Sequence, residues 1–435
     1  MYFVIIFYGL LLILVIRFFY IHAKYPFWSH MPVYHSYDLF TKDHAYIQQF
    51  PLRNKYTNPL LIKTLPFLDL NDAYLKYFAE LLQIGYTKDD SILCTLEQKN
   101  IRAFMTGHNG PALVSFYCAP VYKTVKESSI KGTMFPSSVS PNRETIPSVQ
   151  VDLEPEPLAC AASYSVNMQL TYDKTLTKVP LNYITYVSRE QSSQPKKDFN
   201  KHILEVVATH DYNARRLNLD YNASLIKSSS LPINNTCPLI QFETKIFKID
   251  FQSNESFSVL EKLNNSKRRD HKGTLVPLKE IVQIYKQNWS FALDLLGELH
   301  RLYSLVIAID IGAIRARIEG EEWFVYAYVN KGQTMAMYFI ENAHMLYEND
   351  NVKTLRLVAS VNNGLSVTQF NAGFQDCLRR IIKGNLDYKQ VIIDCIGSNQ
   401  SIMLGQPIET ELNSYCLINW TNKTEVPSES AFILV

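Results

Sequence analysis

The residue types that could do chemistry gather most densely in Leu181–Asn213, LNYITYVSREQSSQPKKDFNKHILEVVATHDYN. Leu181, Tyr183, Thr185 and Val187 fall on one side of an extended chain and Ile184 and Tyr186 on the other, which predicts a strand. A polar, lysine-containing loop follows, and the spacing of Ile203, Val206, Val207 and His210 predicts a helix from about Ile203. A strand, a loop and a helix start make an anion cradle, because first-turn N–H groups lack intrahelical partners and the macrodipole favours negative charge. A loop that touches pyrophosphate normally carries glycine, so that the backbone can approach closely. No glycine occurs between Gly132 and Gly273. The stretch has the outline of a phosphate-binding element without its glycine chemistry.

Other signatures of catalysis are missing from the sequence: it has no G-x-S-x-G, H-E-x-x-H or G-x-x-x-x-G-K-[ST]. Its 10 histidines are dispersed; His35, in an aromatic segment, and His108, in a turn, read as structural. Seven cysteines, odd in number and without a C-x-x-C pair, read as reduced thiols, with no disulfide framework and no metal site. A net charge of +2 argues against a nucleic-acid footprint, which needs a clustered basic face, and the run from Lys267 to Lys272 reads as a solvated loop. The Asn-x-Ser/Thr triplets, such as the one at Asn222, read as chance.

These residues need a scaffold, and 435 residues suffice for two cored units. The chain opens with an apolar stretch, Tyr2–Ile21 interrupted at Arg17, long enough to cross a bilayer and lacking a basic start or small-residue cleavage site. It reads as an uncleaved single-pass anchor. Arg17, His22 and Lys24 follow it and nothing basic precedes it, which places the remainder in the cytosol or inside a particle budding from it. Tyr2 rather than glycine follows the initiator, so the chain is not an acceptor for N-myristoylation itself.

Beyond the anchor, an aromatic segment broken by Pro26 and Pro32 predicts an extended strap over a domain surface. Asp69–Gln83 predicts a helix capped by Asn71 or Asp72, and Ile101–Thr106 with Ala112–Tyr117 predicts a hairpin around Gly107–Gly110. Ala159–Leu170 and Pro238–Phe251 predict strands, and Met134–Pro157 a Ser/Pro-rich loop. Later come one or two helices over Leu278–Leu302, a hairpin of Trp323–Val329 with Thr334–Ile340, and a strand at Leu355–Ser360. A helix capped by Ser366 and closed by Gly384 and a strand at Val391–Cys395 complete the series. The element order repeats, giving an anchor over residues 1–24, one unit over 25–251, a polar linker over 252–277 and a second unit over 278–435.

Phe27-Trp28 followed by Pro32-Val33 resembles the F-W-x-x-Q-P-V segment of protein N-myristoyltransferases, with Met31 in place of Gln. The last stretch, Leu412–Trp420 and Phe432–Val435, is similar to that family's final strands. Asn54–Asn58 and Phe370–Phe374 resemble segments of a branch of the family found in large DNA viruses. The resemblance implies a tandem GNAT-like (N-myristoyltransferase-like) α/β fold, mixed sheets flanked by helices. It implies myristoyl-CoA bound by the first half and a Gly-initiated peptide by the second. Phe27, Trp28 and Val33 would flank the cofactor, Lys201, His202 and Ile203 would lie at its phosphates, and the terminal carboxylate of Val435 would be the base. The family's phosphate loop corresponds to Asp198–Ile203, where Asp198 replaces a cationic or amide residue and Lys201 a glycine. On that departure the chain reads as catalytically degenerate, a structural or interaction component of a viral membrane or virion that meets other virion or membrane proteins. The alternatives are an active acyl-CoA-dependent N-acyltransferase and a lipid- or peptide-binding module. Packing of Phe27 and Trp28 onto the sheet would equally explain those two residues.

Overall fold

The computed structural model describes residues 2–38, 41–87, 92–118, 157–172, 175–189, 196–229, 236–249, 267–269, 275–277, 279–285, 288–347, 352–385 and 387–435. The apolar N-terminal stretch is one helix, α1 (Tyr2–Lys24), exposed over Tyr2–Tyr20 and there long and apolar enough to cross a membrane. Then follow β1 (Ile62–Pro66), α2 (Asp72–Tyr86), β2 (Ile92–Cys94), α3 (Gln98–Met105), β3 (Leu113–Cys118), β4 (Pro157–Tyr172), β5 (Thr175–Arg189), α4 (Lys196–Leu217), β6 (Ser224–Ser228) and β7 (Ile240–Lys248). Next come β8 (Lys267–Arg269), β9 (Leu275–Pro277), β10 (Lys279–Gln283), α5 (Trp289–Gly297), α6 (Leu299–Leu302), β11 (Leu305–Ala308), α7 (Ile311–Glu319) and β12 (Trp323–Asn330). The chain continues through β13 (Gln333–Tyr347), β14 (Val352–Asn362), α8 (Val367–Gly384), β15 (Tyr388–Asp394), β16 (Glu409–Ile418) and β17 (Ala431–Leu434).

One mixed sheet joins all these strands except the β8–β9 ribbon, in the order β1-β3-β4-β5-β6-β16-β7-β15-β14-β13-β12-β10. Two crossovers shape it. Asn182–Ile184 of β5 runs parallel to Ser224–Ile226 of β6 with α4 between them, and β14 runs parallel to β15 with α8 between them. β16, from far along the chain, lies antiparallel to both β6 and β7 and so joins the two sets of strands. β17 lies parallel to β11, which pairs with β4.

Alternation along the strands decides which helix each face meets. Val114 and Phe116 of β3 share a core with Phe78 and Leu82 of α2, whereas Tyr117 packs with Val206 of α4 and the Ser115 hydroxyl bonds His210 Nδ1 at 2.8 Å. Tyr326, Tyr328 and Tyr338 likewise meet Phe370, Phe374 and Leu378 of α8, while Val325, Met337 and Phe339 face the opposite core. Helices therefore cover the sheet on both faces. The caps at Asn71 and Ser366 form as expected, each side chain accepting a bond from the helix it opens.

Three local expectations are corrected. Residues 101–106 belong to helix α3 and the turn after it, not to a hairpin strand. Glu97 and Asn100 form a capping box, and Ile101, Phe104 and Met105 bury one helical face. The stretch from Lys279 begins as strand β10 against β12, with Ile281 and Val282 favouring extension, and helix starts only at Trp289. Helix α4 begins at Lys196, about two turns before Ile203, so Asp198–Ile203 is helix and not a loop. The Ser/Pro-rich reading over 134–156, the loop at 190–195 and the polar linker apart from β8 and β9 lie outside the described residues.

Candidate functional site

A cavity of about 550 Å³ opens where β5 and β6 part beyond Ile184 and Ile226. Its apolar wall combines Phe27, Trp28, Ile184, Ile203 and Val207. Phe27 is held by edge-to-face contacts with Trp28 and Tyr56, both at 5.1 Å between ring centres, and by burial against Val207 and Ile418. The strap carrying Phe27 and Trp28 thus closes one side of the cavity.

The floor is a bulge in β5. Cys160 pairs with Ser188 and Ala162 with Thr185, which leaves Tyr186 and Val187 opposite Ala161 alone, with Tyr186 at φ 52°. A non-glycine residue in this region costs of order 1–3 kcal/mol and persists where its surroundings over-determine it. Here a bulge re-aims the strand, so that Thr185, Tyr186 and Val187 all line the cavity. Val435, one residue past β17, lines it as well.

A charged network borders this space. Asp394 takes Lys227 Nζ at 2.9 Å, Arg356 Nη2 at 2.6 Å and the Thr244 hydroxyl at 2.6 Å. Burial alone would raise the Asp394 carboxyl, but Lys227 and Arg356 outweigh it and hold the group well below the usual carboxylate range. Burial, reinforced by Arg356, pushes the Lys227 ammonium down to about 8. Arg356 also faces Glu341 at 3.9 Å, and the Trp323 indole N–H donates to the same carboxylate at 3.1 Å. Arg317 is fully buried among the rings of Trp323, Phe104 and Tyr164, at 4.7, 5.0 and 5.1 Å, and its guanidinium nitrogens meet no hydrogen-bond acceptor among the described residues. Burial raises the phenols of Tyr164, Tyr183 and Tyr186 and keeps them neutral.

Four of the residues singled out from sequence meet on this cavity: Phe27, Trp28, Ile203 and Val435. Val33 packs behind them, buried with Phe27 and Met31. Lys201 and His202 face elsewhere on α4, Lys201 toward Glu205 at 3.8 Å and His202 against the Tyr117 ring at 4.4 Å. Lys227, Arg317, Glu341, His344 and Arg356 carry no shared spacing in the sequence; they come from four separate elements, β6, α7, β13 and β14. No group of His, Cys, Asp and Glu among the described residues could hold a metal ion.

No protein-family model and no curated protein matches the sequence. Solved structures do match its fold. Saccharomyces cerevisiae N-myristoyltransferase with bound myristoyl-CoA superposes with a TM-score of 0.60 at 11% identity, over 92% of this chain and 93% of that one. The same yeast enzyme with bound myristoyl-CoA and inhibitors gives 0.59 at 12% identity, over 92% and 90%. The chain therefore has an N-myristoyltransferase-like mixed α/β fold along nearly its whole length. An apolar helix capable of spanning a membrane precedes it.

Proposed function

We propose that this chain is a membrane-anchored acyl-CoA-dependent N-acyltransferase that acts on the N-terminal amine of a peptide or protein. One observation carries the reading: Val435 lines the same cavity as Phe27, Trp28 and the Tyr186–Val187 bulge. A carboxylate, an apolar wall and a re-aimed strand are the parts that acyl transfer needs in one place. The cavity size falls within the range of small-molecule sites, roughly 300–1,000 Å³. The acyl chain would lie against Phe27, Trp28, Ile184 and Val207, with the thioester carbonyl at the bulge. The amine nitrogen attacks that carbonyl carbon, a C–N bond forms, the C–S bond breaks and coenzyme A leaves as the thiolate. A proton lost by the nitrogen passes to the Val435 carboxylate. Myristoyl-CoA is the acyl donor to try first, since the yeast enzyme of like fold binds it. Helix α1 would hold the body at a membrane, on the cytosolic side or inside a particle, where Arg17, His22 and Lys24 keep it.

A second reading is a non-catalytic structural or interaction component of a viral membrane or particle. The feature favouring it is Asp198, whose charge opposes a pyrophosphate near the start of α4. Thermal unfolding of the full chain in detergent, with and without myristoyl-CoA, and transfer to a Gly-initiated peptide separate the two. Ligand at a hundredfold excess over Kd stabilises by about 2.7 kcal/mol. Transfer that stops when residues are appended after Val435 supports the enzyme, and the absence of both transfer and stabilisation supports the second reading. No stabilisation and no transfer sinks the acyl-CoA proposal.

A further inference from the structure

His344 stands on the wall of the same cavity, in a second bulge and in a second strained backbone conformation. Its φ is 51°, and the pairing of β13 with β14 shifts register between Asn342 and Leu346. The ring and the backbone of His344 are each held by one partner. Nε2 lies 2.5 Å from Glu322 Oε2, and the backbone N–H donates to Asn342 Oδ1 at 3.1 Å. Glu322 is itself buried and fixed, accepting from Asn100 Nδ2 at 2.6 Å through its other oxygen. With the Nε2 proton directed to Glu322, the lone pair is on Nδ1, which has no hydrogen-bond partner among the described residues and is not enclosed. A histidine oriented by a carboxylate, with its second nitrogen open to a cavity, is the arrangement of a general base.

Resting on the acyltransferase reading above, we infer that His344 is a second proton acceptor of this site, with Glu322 as its positioning residue. Proton balance calls for one. An α-ammonium, half ionised near about pH 8, sheds two protons in becoming an amide N–H, one before attack to free the lone pair and one after it. In the assignment made here His344 Nδ1 takes the first and the Val435 carboxylate the second. The departing thiolate receives the second proton as the free thiol, and His344 releases the first to solvent, so the ledger of one net proton per turnover closes. Strain supports a functional reading of the position, since positive φ at a histidine survives only where the surroundings enforce it.

The experiment uses the full chain in detergent with myristoyl-CoA and a Gly-initiated peptide. His344→Gly suits the backbone, because glycine adopts φ near 51° without cost, and it opens a slot the size of an imidazole. Expected are a fall in kcat of about a hundredfold with KM for myristoyl-CoA within about twofold, and recovery of at least tenfold with added imidazole. Glu322→Gln should lower kcat less, with KM again unchanged. Wild-type kcat in His344→Gly, or a loss that imidazole does not restore, overturns the inference. If the wild-type chain transfers no acyl group, the proposed function has failed, and diethylpyrocarbonate then decides for His344 alone. Carbethoxylation at His344, suppressed by myristoyl-CoA, upholds an accessible base in a ligand site; no modification there overturns it.

Discussion

Lowering the pH from 7 to 5 should destabilise this protein chiefly through two buried histidines. The His210 ring lies inside the sheet–α4 interface, with Nδ1 on the Ser115 hydroxyl and Nε2 without a partner. His108 stacks on Tyr164 at 4.5 Å, Nε2 facing the Phe104 carbonyl at 3.0 Å and Nδ1 unpartnered. Burial lowers both to about 4, with Arg317 adding to the effect at His108 and Asp211 opposing it at His210. Above pH 6.5 each is neutral whether the chain is folded or unfolded, and there is no penalty. Between 6.5 and 4 the unfolded chain takes up the proton and the folded chain does not, so stability falls as pH falls. At pH 5 the difference is about 2 kcal/mol per histidine, or about 4 kcal/mol for both if they act independently. Asp394, held low, keeps its stabilising contribution throughout this window and loses it only below about pH 3.8. Urea unfolding of wild type, His108→Gln and His210→Gln at both pH values gives the measurement. Each variant should retain about half of the wild-type pH dependence. An unchanged pH 7-to-5 difference in both variants would refute the assignment, whatever the variants do to stability at pH 7.

Two further changes test the packing around the cavity. Asp394→Asn removes the shared partner of Lys227 and Arg356 and should cost about 3–5 kcal/mol, read as a drop in unfolding midpoint; a loss below about 1 kcal/mol would show that Glu341 compensates. Gly107 has φ 80°, and a methyl group there would meet the Gly312 carbonyl where α7 starts. Gly107→Ala should therefore destabilise by roughly 1–3 kcal/mol and loosen α7, which carries Arg317; a midpoint within error of wild type would count against that close approach.

What could be read from the chain beforehand was whatever depends on near neighbours. Asn71 and Ser366 announce helices because a cap needs only a side-chain oxygen and an amide three residues on. The hairpin of β12 and β13 follows from Asn330-Lys-Gly-Gln333 between two alternating apolar runs. Residues 101–106 read as a hairpin strand because the Gly-rich turn after them suits a helix end as well as a hairpin, and only the capping box of Glu97 and Asn100 marks the helix. The start of α4 was missed because Lys196–Asn200 offers no apolar stripe, though lysine and asparagine tolerate helix well enough. Most of the cavity was invisible for a different reason. Lys227, Arg317, His344, Glu341 and Arg356 are brought together by strand pairing between distant segments, and the bulges at Tyr186 and His344 leave no composition signal.

The place of β16 in the sheet has a consequence for biosynthesis. Strands β6 and β7 are translated long before residues 409–418, yet in the finished molecule they meet only through that later strand. During translation both therefore present an unpaired edge until that strand is made. Unpaired edges of that kind recruit other strands, and segments that pair over hundreds of residues close slowly. Until residues 409–418 are made, the facing edges of β6 and β7 stay unpaired, which makes the nascent protein a client for holdase chaperones late in its synthesis.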